Sequence, residues 1–566
     1  MIEKFNIIIE QPIKITIIFA KNINNMKKLN IKATNNFWID NGIVGLYKVI
    51  NDIRRKSTDG FPFEIVLDHN ELNINVSNET ADVTRLLNMA KEEVVKSYLK
   101  KTDSVGWIFK NNIFEIYQKT DFKMHLKPFF AGKTPTIEGA LLIPSVKDSD
   151  LGGKGRRMTN EEFMAFERFK NENSDILLNG KKIKLTGKGF VNSSPKYEIG
   201  EDFSESCIAE GKKYCYFSGL MVKKADVING MNYPFLTGKS GEMNFCSQMN
   251  AKPLISSLYS FVSLFSFYNL NYLLQDDLKN YFILYDSNLK ELSSFYNTIK
   301  LDISQLTKPD YCSFETELLG TTYENECFFN FLLSIYKQIK ARLNKDKRKM
   351  LLFNKRVISM SNDGNIFNNV NEYTSLSILF ELFDAFETFE EERNYFDFFV
   401  NMIRYFSKRL DSGKFDTTWR NRLCSDILSF RSIHKTIEWF LGEVKMKEGK
   451  GNIAFLDKII TIYNNKTQKD MKTEMVEICK SVGNRIGAYC REKDDKGILF
   501  SIRNAKSRTE FINVLAETQF RTEVSYSETF FKELPDNAQW EEYKALVSIF
   551  AMNSFLYKEA KQITKK

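Results

Sequence analysis

The pattern of apolar and polar positions changes partway along the chain. In roughly the first 200 residues, short alternating runs predominate, and Phe63–Val76 alternates on either side of a polar centre at Asp68–Glu71, which predicts a β-hairpin. Helical periods at Ile43–Ile53 and Asp82–Lys101 interrupt these runs. From about residue 252 onward, apolar residues recur mostly at helical spacing. The pattern predicts an α+β protein, with a mixed α/β N-terminal domain and a mostly α-helical C-terminal part that ends in a helical bundle.

One uncharged stretch, residues 253–275, is long enough to cross a membrane. Five serines dilute it, and its larger apolar side chains recur at helical spacing: Leu254, Leu258, Phe261, Phe265, Tyr268 and Tyr272. This periodicity favours a buried amphipathic helix over a membrane span. We therefore expect no membrane partner.

Length and composition narrow the possibilities further. A chain of 566 residues is too long for one core, and about 150 residues per domain predicts three or four domains. The net charge of +9 permits a polyanionic partner without requiring one. Eight scattered cysteines with no disulfide framework and no signal peptide indicate a reducing compartment, so we expect a cytoplasmic protein.

Two half-complete cysteine knuckles precede the uncharged stretch. A zinc ribbon needs Cys-x-x-Cys twice, because four ligands close a tetrahedral shell around the metal. Here Ser218 stands where the partner of Cys215 would be, and Met249 stands where the partner of Cys246 would be. Hydroxyl and thioether groups are poor zinc ligands beside thiolates. We predict a degenerate ribbon that binds no zinc or other cofactor and that is held by aromatic packing, including Tyr216, Phe217 and Tyr233.

Three stretches in this order resemble one known family. They are the opening segment NNFWIDNGIVGLYKVI (Asn35–Ile50), the knuckle region from Cys215 through YPFLTGKSGEMNF and CSQM to the uncharged stretch, and Val482–Leu515. Together they resemble the CXXC–CXXC family of large subunits of type I CRISPR Cascade effectors, subtypes A and B. The first segment departs from the family pattern, because Asn-Asn stands in place of Gly-Asn. Asn36, Trp38 and Asp40 match the segment, with Trp38 expected as a core anchor and Asp40 as a helix cap.

The resemblance implies a non-catalytic function in antiviral defence. Such a subunit recognises the protospacer-adjacent motif in double-stranded target DNA and supports R-loop formation, while a guide RNA reads most of the target sequence. The implied partners are the guide RNA, the target DNA, the Cascade backbone subunits and a separate helicase-nuclease.

The predicted domain layout has five parts. Residues 1–25 differ in character from the family-like segment after them, and we expect translation to start naturally at Met26; the alternative is a genuine N-terminal strand. The remaining parts are a DNA-recognition domain at 26–205, the degenerate ribbon at 206–250, a helical region at 251–445 and a bundle resembling a Cascade small subunit at 446–566.

Basic, glycine-rich loops are the first candidates for DNA contact. Flexible glycines let backbone N–H groups approach phosphates, and lysine or arginine adds charge. An exposed loop or a simple strand turn would have the same composition. The candidates in these loops are Lys133, Lys154, Arg156, Arg157, Lys188 and Asn192.

A second set of basic residues lies in the C-terminal half. We expect those in the family-like region to guide the separated strands: Arg485, Arg491, Arg503, Lys506 and Arg508. The strongly basic run Lys337–Arg356 is a further nucleic-acid candidate, and a solvated helix face is its alternative.

The bundle could also be made as a separate product. The codons of Gly442 and Glu443 can spell a ribosome-binding sequence two codons before Met446, so 446–566 is predicted to be translated internally as a small subunit. The alternative is an ordinary helix that ends at Leu441 with Gly442 as its C-cap.

Two other classes of function stay open. One is a metal-dependent nuclease or other nucleic-acid enzyme, and the other is a plain RNA-binding scaffold. The three histidines, His69, His125 and His434, form no catalytic or metal-binding motif in the sequence, and Gly132-Lys133-Thr134 lacks the first glycine of a P-loop.

Overall fold

The computed structural model describes residues 26–57, 60–77, 81–110, 113–124, 141–142, 155–156, 159–173, 177–178, 181–182, 202–228, 233, 253–275, 278–299, 312–318, 321–352, 354–362, 367–390, 392–449, 451–468, 471–523 and 525–557. These residues form a mixed α+β protein with small, mainly antiparallel sheets, as the pattern predicts at this coarse level. They divide into two compact units. Unit 1 takes the described residues within Met1–Asn271, Ile283–Ser313 and Asp363–Phe367, and unit 2 takes those within Tyr272–Phe282, Phe314–Asn362 and Asn368–Lys566. The five-part layout stays a prediction.

The α-helices, in chain order, are α1 Phe37–Lys56, α2 Val83–Tyr98, α3 Asn160–Glu172, α4 Ser257–Ser263, α5 Leu289–Thr298, α6 Glu324–Lys340, α7 Lys345–Leu352, α8 Leu376–Thr388, α9 Tyr395–Tyr405, α10 Thr418–Leu428, α11 His434–Phe440, α12 Leu456–Thr467, α13 Thr473–Lys493, α14 Gly497–Asn504, α15 Arg508–Thr522, α16 Glu528–Glu533 and α17 Trp540–Leu556.

The strands are β1 Lys28–Lys32, β2 Phe63–Leu67, β3 Glu71–Val76, β4 Leu99–Lys110, β5 Ile113–Met124, β6 Leu141–Leu142, β7 Gly155–Arg156, β8 Leu177–Leu178, β9 Lys181–Lys182, β10 Glu210–Tyr214, β11 Met221–Val222, β12 Ala225–Val227, β13 Leu254–Ser256, β14 Leu270–Gln275, β15 Leu278–Tyr285, β16 Arg356–Asn362, β17 Phe367–Tyr373, β18 Lys408–Arg409 and β19 Phe415–Asp416.

A three-stranded antiparallel sheet in the order β1-β3-β2 lies near the start of unit 1. The predicted hairpin is confirmed, since β2 and β3 pair with Leu67 opposite Leu72 across a turn at Asp68–Asn70. Alternate residues of β1 and β3 are buried, including Ile31 and Ile74. Period-two burial of this kind fixes the register, because a slip of one residue would bring the polar face inward.

The prediction of one long helix across residues 253–275 is wrong. The stretch forms β13, the short helix α4, a 3₁₀ helix at Leu264–Asn269 and then β14. Ser256 ends the strand and starts the helix, because its side chain accepts a hydrogen bond from the Tyr259 backbone N–H at 3.2 Å. The part of the prediction that concerns burial holds, since Tyr259, Phe265 and Tyr272 are all buried.

Aromatic side chains make up much of the core of unit 2. The ring of Tyr336 on α6 lies 5.2 to 5.3 Å from the rings of Phe380, Phe383 and Phe396 on the neighbouring helices α8 and α9. A four-stranded sheet in the order β14-β15-β16-β17 adds β structure that the helical pattern after residue 252 does not predict.

The alternative for this region, an ordinary helix that ends at Leu441 with Gly442 as its C-cap, is wrong. Helix α11 continues through a π-helical turn at Leu441–Lys445 and an α-helical turn at Met446–Glu448, and it ends at Gly449 with φ of 65°. The side chain of Arg503 lies against Gly442 within this continuing helix, since a Cβ atom there would lie 2.7 Å from the Arg503 Nη1. Whether Met446 serves as a translation start stays a prediction.

In the part of the chain that the structure describes, none of the helices combines the length and the apolar character needed to cross a bilayer.

Candidate nucleic-acid interface

The opening segment folds around its own polar side chains. Asn36 caps helix α1, since its Oδ1 accepts hydrogen bonds from the backbone N–H groups of Trp38 at 3.0 Å and Ile39 at 3.2 Å. The prediction that Asp40 is the cap is therefore wrong: Asp40 lies inside the first turn. Its Oδ1 accepts from the backbone N–H and the hydroxyl of Thr34 at 2.8 and 3.0 Å, which closes the loop before the helix.

Asp40 is a structural carboxyl group and not a surface contact. The residue is 0 % exposed. Burial raises the pKa of Asp40 to about 6, against the opposing effect of hydrogen bonds from Thr34, Asn35 and Tyr285. Trp38 is the predicted core anchor, with 1 % exposure and its ring edge-on to Phe267 at 5.2 Å.

Two glycines let α1 approach the uncharged stretch closely. A Cβ atom on Gly42 would lie 2.4 Å from the carbonyl oxygen of Val262, and one on Gly45 would lie 2.1 Å from that of Phe265. The Ser266 hydroxyl donates to the Trp38 carbonyl oxygen at 2.6 Å across the same contact. The Asp-Asn-Gly of the opening segment therefore serves helix packing.

The first knuckle is a tight turn around Cys215. The backbone N–H of Cys215 donates to the Leu220 carbonyl oxygen, and that of Gly219 donates to the Cys215 carbonyl oxygen, both at 2.9 Å. Gly219 adopts φ of 70°, a backbone conformation that glycine favours. The Cys215 sulfur accepts a hydrogen bond from the Ser256 backbone N–H at 3.2 Å.

Hydrogen bonds surround the sulfur at this knuckle. Burial by itself would raise the pKa of the Cys215 thiol, but the hydroxyl and backbone N–H of Ser218 and the backbone N–H groups of Ser256 and Phe217 outweigh burial and lower it. Ser218 thus occupies the position of the missing ligand and donates to the sulfur. Cys246 and Met249 lie outside the described residues, so the absence of zinc stays a prediction. Among the residues that are described, no three His, Cys, Asp or Glu side chains cluster as metal ligands would.

Tyr233 joins the knuckle to the opening segment. Its hydroxyl accepts a hydrogen bond from the Asn36 side-chain amide at 3.4 Å. Its ring lies 6.5 Å from that of Phe37 and 5.5 Å from that of Phe217. Two of the stretches that carry the family resemblance, far apart in sequence, therefore meet in one cluster of unit 1.

The strands around the knuckle form an exposed basic ribbon. We define the knuckle ribbon as Glu210–Lys224, which contains the antiparallel pair β10 and β11 with Tyr214 opposite Met221. Tyr214 is 56 % exposed and Tyr216 is 40 % exposed. The ribbon carries one glutamate, Glu210, and four lysines that are all exposed: Lys212, Lys213, Lys223 and Lys224.

This arrangement suits nucleic acid. A two-stranded ribbon is narrow enough to enter the major groove of B-form DNA. Lysines neutralise phosphates, and an exposed aromatic ring offers a surface on which a base can stack. The sequence prediction missed the ribbon because it assigned Tyr216 to packing. The useful signal was the clustering of lysine and tyrosine on both sides of Cys215.

The predicted loop residues cannot be placed. Lys133, Lys154, Arg157, Lys188 and Asn192 lie outside the described residues. Arg156 belongs to the short strand β7, which pairs in parallel with β6. Their role in DNA contact stays a prediction.

The predicted C-terminal cations divide into two groups. Arg503 donates to the carboxylate of Glu443 at 2.6 Å, Arg508 donates to the Leu534 carbonyl oxygen at 3.1 Å and pairs with Asp536, and Arg491 donates to the Ser554 carbonyl oxygen at 3.0 Å. These three side chains connect parts of the bundle. Arg485 and Lys506 are exposed.

A scan of the chain against models of known protein families gives no match, and a search of curated proteins finds no significant relative.

Proposed function

We propose that this chain is the non-catalytic large subunit of a type I CRISPR Cascade complex. The observation that carries the proposal is the meeting of the opening segment and the knuckle at Tyr233. Segments that together resemble one family, and that also pack together, support a shared module better than either segment alone.

In this proposal the knuckle ribbon contacts target DNA. Its four lysines face phosphates, and bases stack on the exposed rings of Tyr214 and Tyr216 where the duplex opens. Guide RNA pairs with the target strand, the Cascade backbone subunits hold that RNA, and a separate helicase-nuclease cuts the DNA. The exposed Arg485 and Lys506 of the C-terminal bundle contact the separated strands.

Two alternative functions predict different behaviour. A metal-dependent nuclease would cleave nucleic acid only when a divalent cation is present. A plain RNA-binding scaffold would hold RNA without any preference for a short duplex motif. The Cascade proposal requires that the assembled complex prefer one short duplex motif.

The test is binding of the assembled complex to a duplex library with randomised bases beside a fixed target. We expect enrichment of one short motif. The variant Lys212→Ala/Lys213→Ala should weaken binding to all sequences and lower the slope of affinity against salt, because each lost phosphate contact removes about one released counterion. Lys447→Ala/Lys532→Ala, which removes two lysines that pair with Glu443 and Glu528, is the matched control.

Tyr214→Ala should weaken motif binding by about 1 kcal/mol or more if a base stacks on the ring. A library without any enriched motif would contradict the proposal. If both ribbon variants bound DNA as the parent does, the knuckle ribbon would have no part in DNA binding.

A further inference from the structure

A lysine-lined cleft lies in unit 2, between helices α7, α8 and α12. Its volume is about 370 Å³. Lys345 and Lys349 of α7 stand on one side, Asn465 and Lys466 of α12 stand on another, and Phe389 closes the end of α8. We name this site the lysine cleft.

The cleft has an excess of positive charge. Of its two carboxylates, Asp384 is already engaged, since its Oδ1 accepts hydrogen bonds from the Tyr336 hydroxyl at 2.8 Å and from Arg348 at 2.7 Å. Glu381 forms an ion pair with Lys349, with 3.7 Å between the ammonium nitrogen and the carboxylate oxygen. Within the described part of the chain, the ammonium groups of Lys345 and Lys466 have no carboxylate within ion-pair distance.

Several other cations of the basic run Lys337–Arg356 are paired with carboxylates. Lys337, Lys340, Arg348 and Arg356 each pair with a glutamate or aspartate. Part of this basic run is thus neutralised by carboxylates, whereas Lys345, which borders the cleft, is not neutralised by any described carboxylate.

An aromatic ring and an amide complete the lining. Phe389 is 38 % exposed, and its ring is held edge-on by Tyr395 at 6.0 Å between centroids. The Asn465 side-chain oxygen accepts from the Thr473 hydroxyl at 3.2 Å, which leaves the Asn465 amide N–H groups as donors. The Lys458 ammonium group lies 5.6 Å from the centroid of the Phe389 ring. The cleft therefore combines cationic groups, an amide donor and a partly exposed aromatic ring.

We propose that the lysine cleft binds a nucleotide, with its phosphate between Lys345 and Lys466 and its base against Phe389. The volume falls in the range of small-molecule sites, and the pairing of ammonium groups with an aromatic ring matches the two halves of a nucleotide. The nucleotide is either free or one unit of a single strand. The proposal does not depend on the proposed function, because none of the cleft residues takes part in that function.

The test uses the full chain and three probes in isothermal titration: ATP, an eight-nucleotide oligothymidylate and tripolyphosphate. Binding of ATP identifies a free nucleotide as the ligand, and binding of the oligonucleotide without ATP identifies a strand. Lys345→Ala/Lys466→Ala should weaken binding of the nucleotide probe about a hundredfold, because each of the two lost charge-assisted contacts is worth about a factor of ten. The control is Lys447→Ala/Lys532→Ala, which removes the same charge from two lysines that pair with Glu443 and Glu528.

Phe389→Leu tests the ring specifically. It should weaken nucleotide binding about tenfold and leave tripolyphosphate binding unchanged, because leucine keeps apolar volume but offers no stacking face. Photo-crosslinking of the unmodified chain with 8-azido-ATP or a bromouridine strand covers the case in which a variant folds poorly. Label should appear in peptides containing Phe389 or Lys466.

Three results would overturn the proposal. They are no binding of either nucleotide probe at 100 mM salt, nucleotide binding that the cleft variants leave unchanged, and crosslinks confined to other parts of the chain.

Discussion

Replacing Asp40 with asparagine should remove a loss of stability of helix α1 that occurs as the pH rises. Asp40 is fully buried, and burial raises its pKa from 3.8 to about 6. The folded state thus favours the protonated carboxyl group. The stability that this group contributes is fully present below pH 3.8 and is lost as pH rises through 6.

The size of the effect follows from the two pKa values. A pKa that rises from 3.8 to about 6 on folding corresponds to about 3 kcal/mol between the fully protonated and fully ionised limits. About half of this loss is reached at pH 5, and nearly all of it at pH 7.5. Asparagine keeps an oxygen for the two Thr34 hydrogen bonds but gives up the one from the Asn35 backbone N–H, which costs about 1 kcal/mol. The variant should then be about 2 kcal/mol more stable than the parent at pH 7.5.

Amide hydrogen exchange of Ile43–Ile50 measures this locally, as the free energy of opening at pH 5 and pH 7.5. The advantage of Asp40→Asn over the parent should grow by about 1.5 kcal/mol between the two pH values. Glu64→Gln removes an equivalent charge from an exposed site in the same unit and should show no such change. If the free energy of opening differed between Asp40→Asn and the parent by the same amount at both pH values, the reasoning would be refuted.

Three further predictions concern packing, a buried ion pair and translation. Gly45→Ala should lower thermal stability by about 2 kcal/mol or more, because its Cβ meets a backbone oxygen at 2.1 Å, whereas Gly60→Ala has open space and should be neutral; equal losses would contradict the packing. Glu326→Leu should cost about 3 kcal/mol in urea unfolding, because it leaves buried Arg420 without its carboxylate and removes the acceptor of hydrogen bonds from Thr322, Tyr323 and Thr417; adding Arg420→Leu should recover only the part due to the unpaired guanidinium, and a single-variant loss below 1 kcal/mol would argue against the pair. Changing the Met446 codon should abolish the short product 446–566 in immunoblots, and its persistence would exclude that start.

Short-range features were the ones that the sequence could predict. The hairpin of β2 and β3 follows from strict alternation around a polar turn, and the helical period at Asp82–Lys101 matches α2, which spans Val83–Tyr98. Each depends on neighbours within a few residues.

Features set by distant partners could not be predicted. Helical spacing in 253–275 suggested one helix, but Ser256 starts a short helix there, and the 3₁₀ segment after it packs against Gly42 and Gly45 of α1. Arg503 pairs with Glu443 and Arg508 pairs with Asp536. Both partners are distant in the sequence, so the roles of these arginines depend on the fold.

The candidate interface also depends on contacts that the sequence does not reveal. The sequence shows the lysines of the knuckle ribbon. Their exposure depends on how β10 pairs with β11, and no local sequence pattern specifies that pairing. Ser218 was recognised as a lost metal ligand, whereas its hydrogen bond to the Cys215 sulfur required the folded turn.

Native mass spectrometry of the tagged chain, expressed with its neighbouring genes, tests the central claim most directly. The Cascade proposal predicts a large assembly that contains one guide RNA, repeated backbone subunits and this chain. A monomer free of RNA and of other subunits would contradict it.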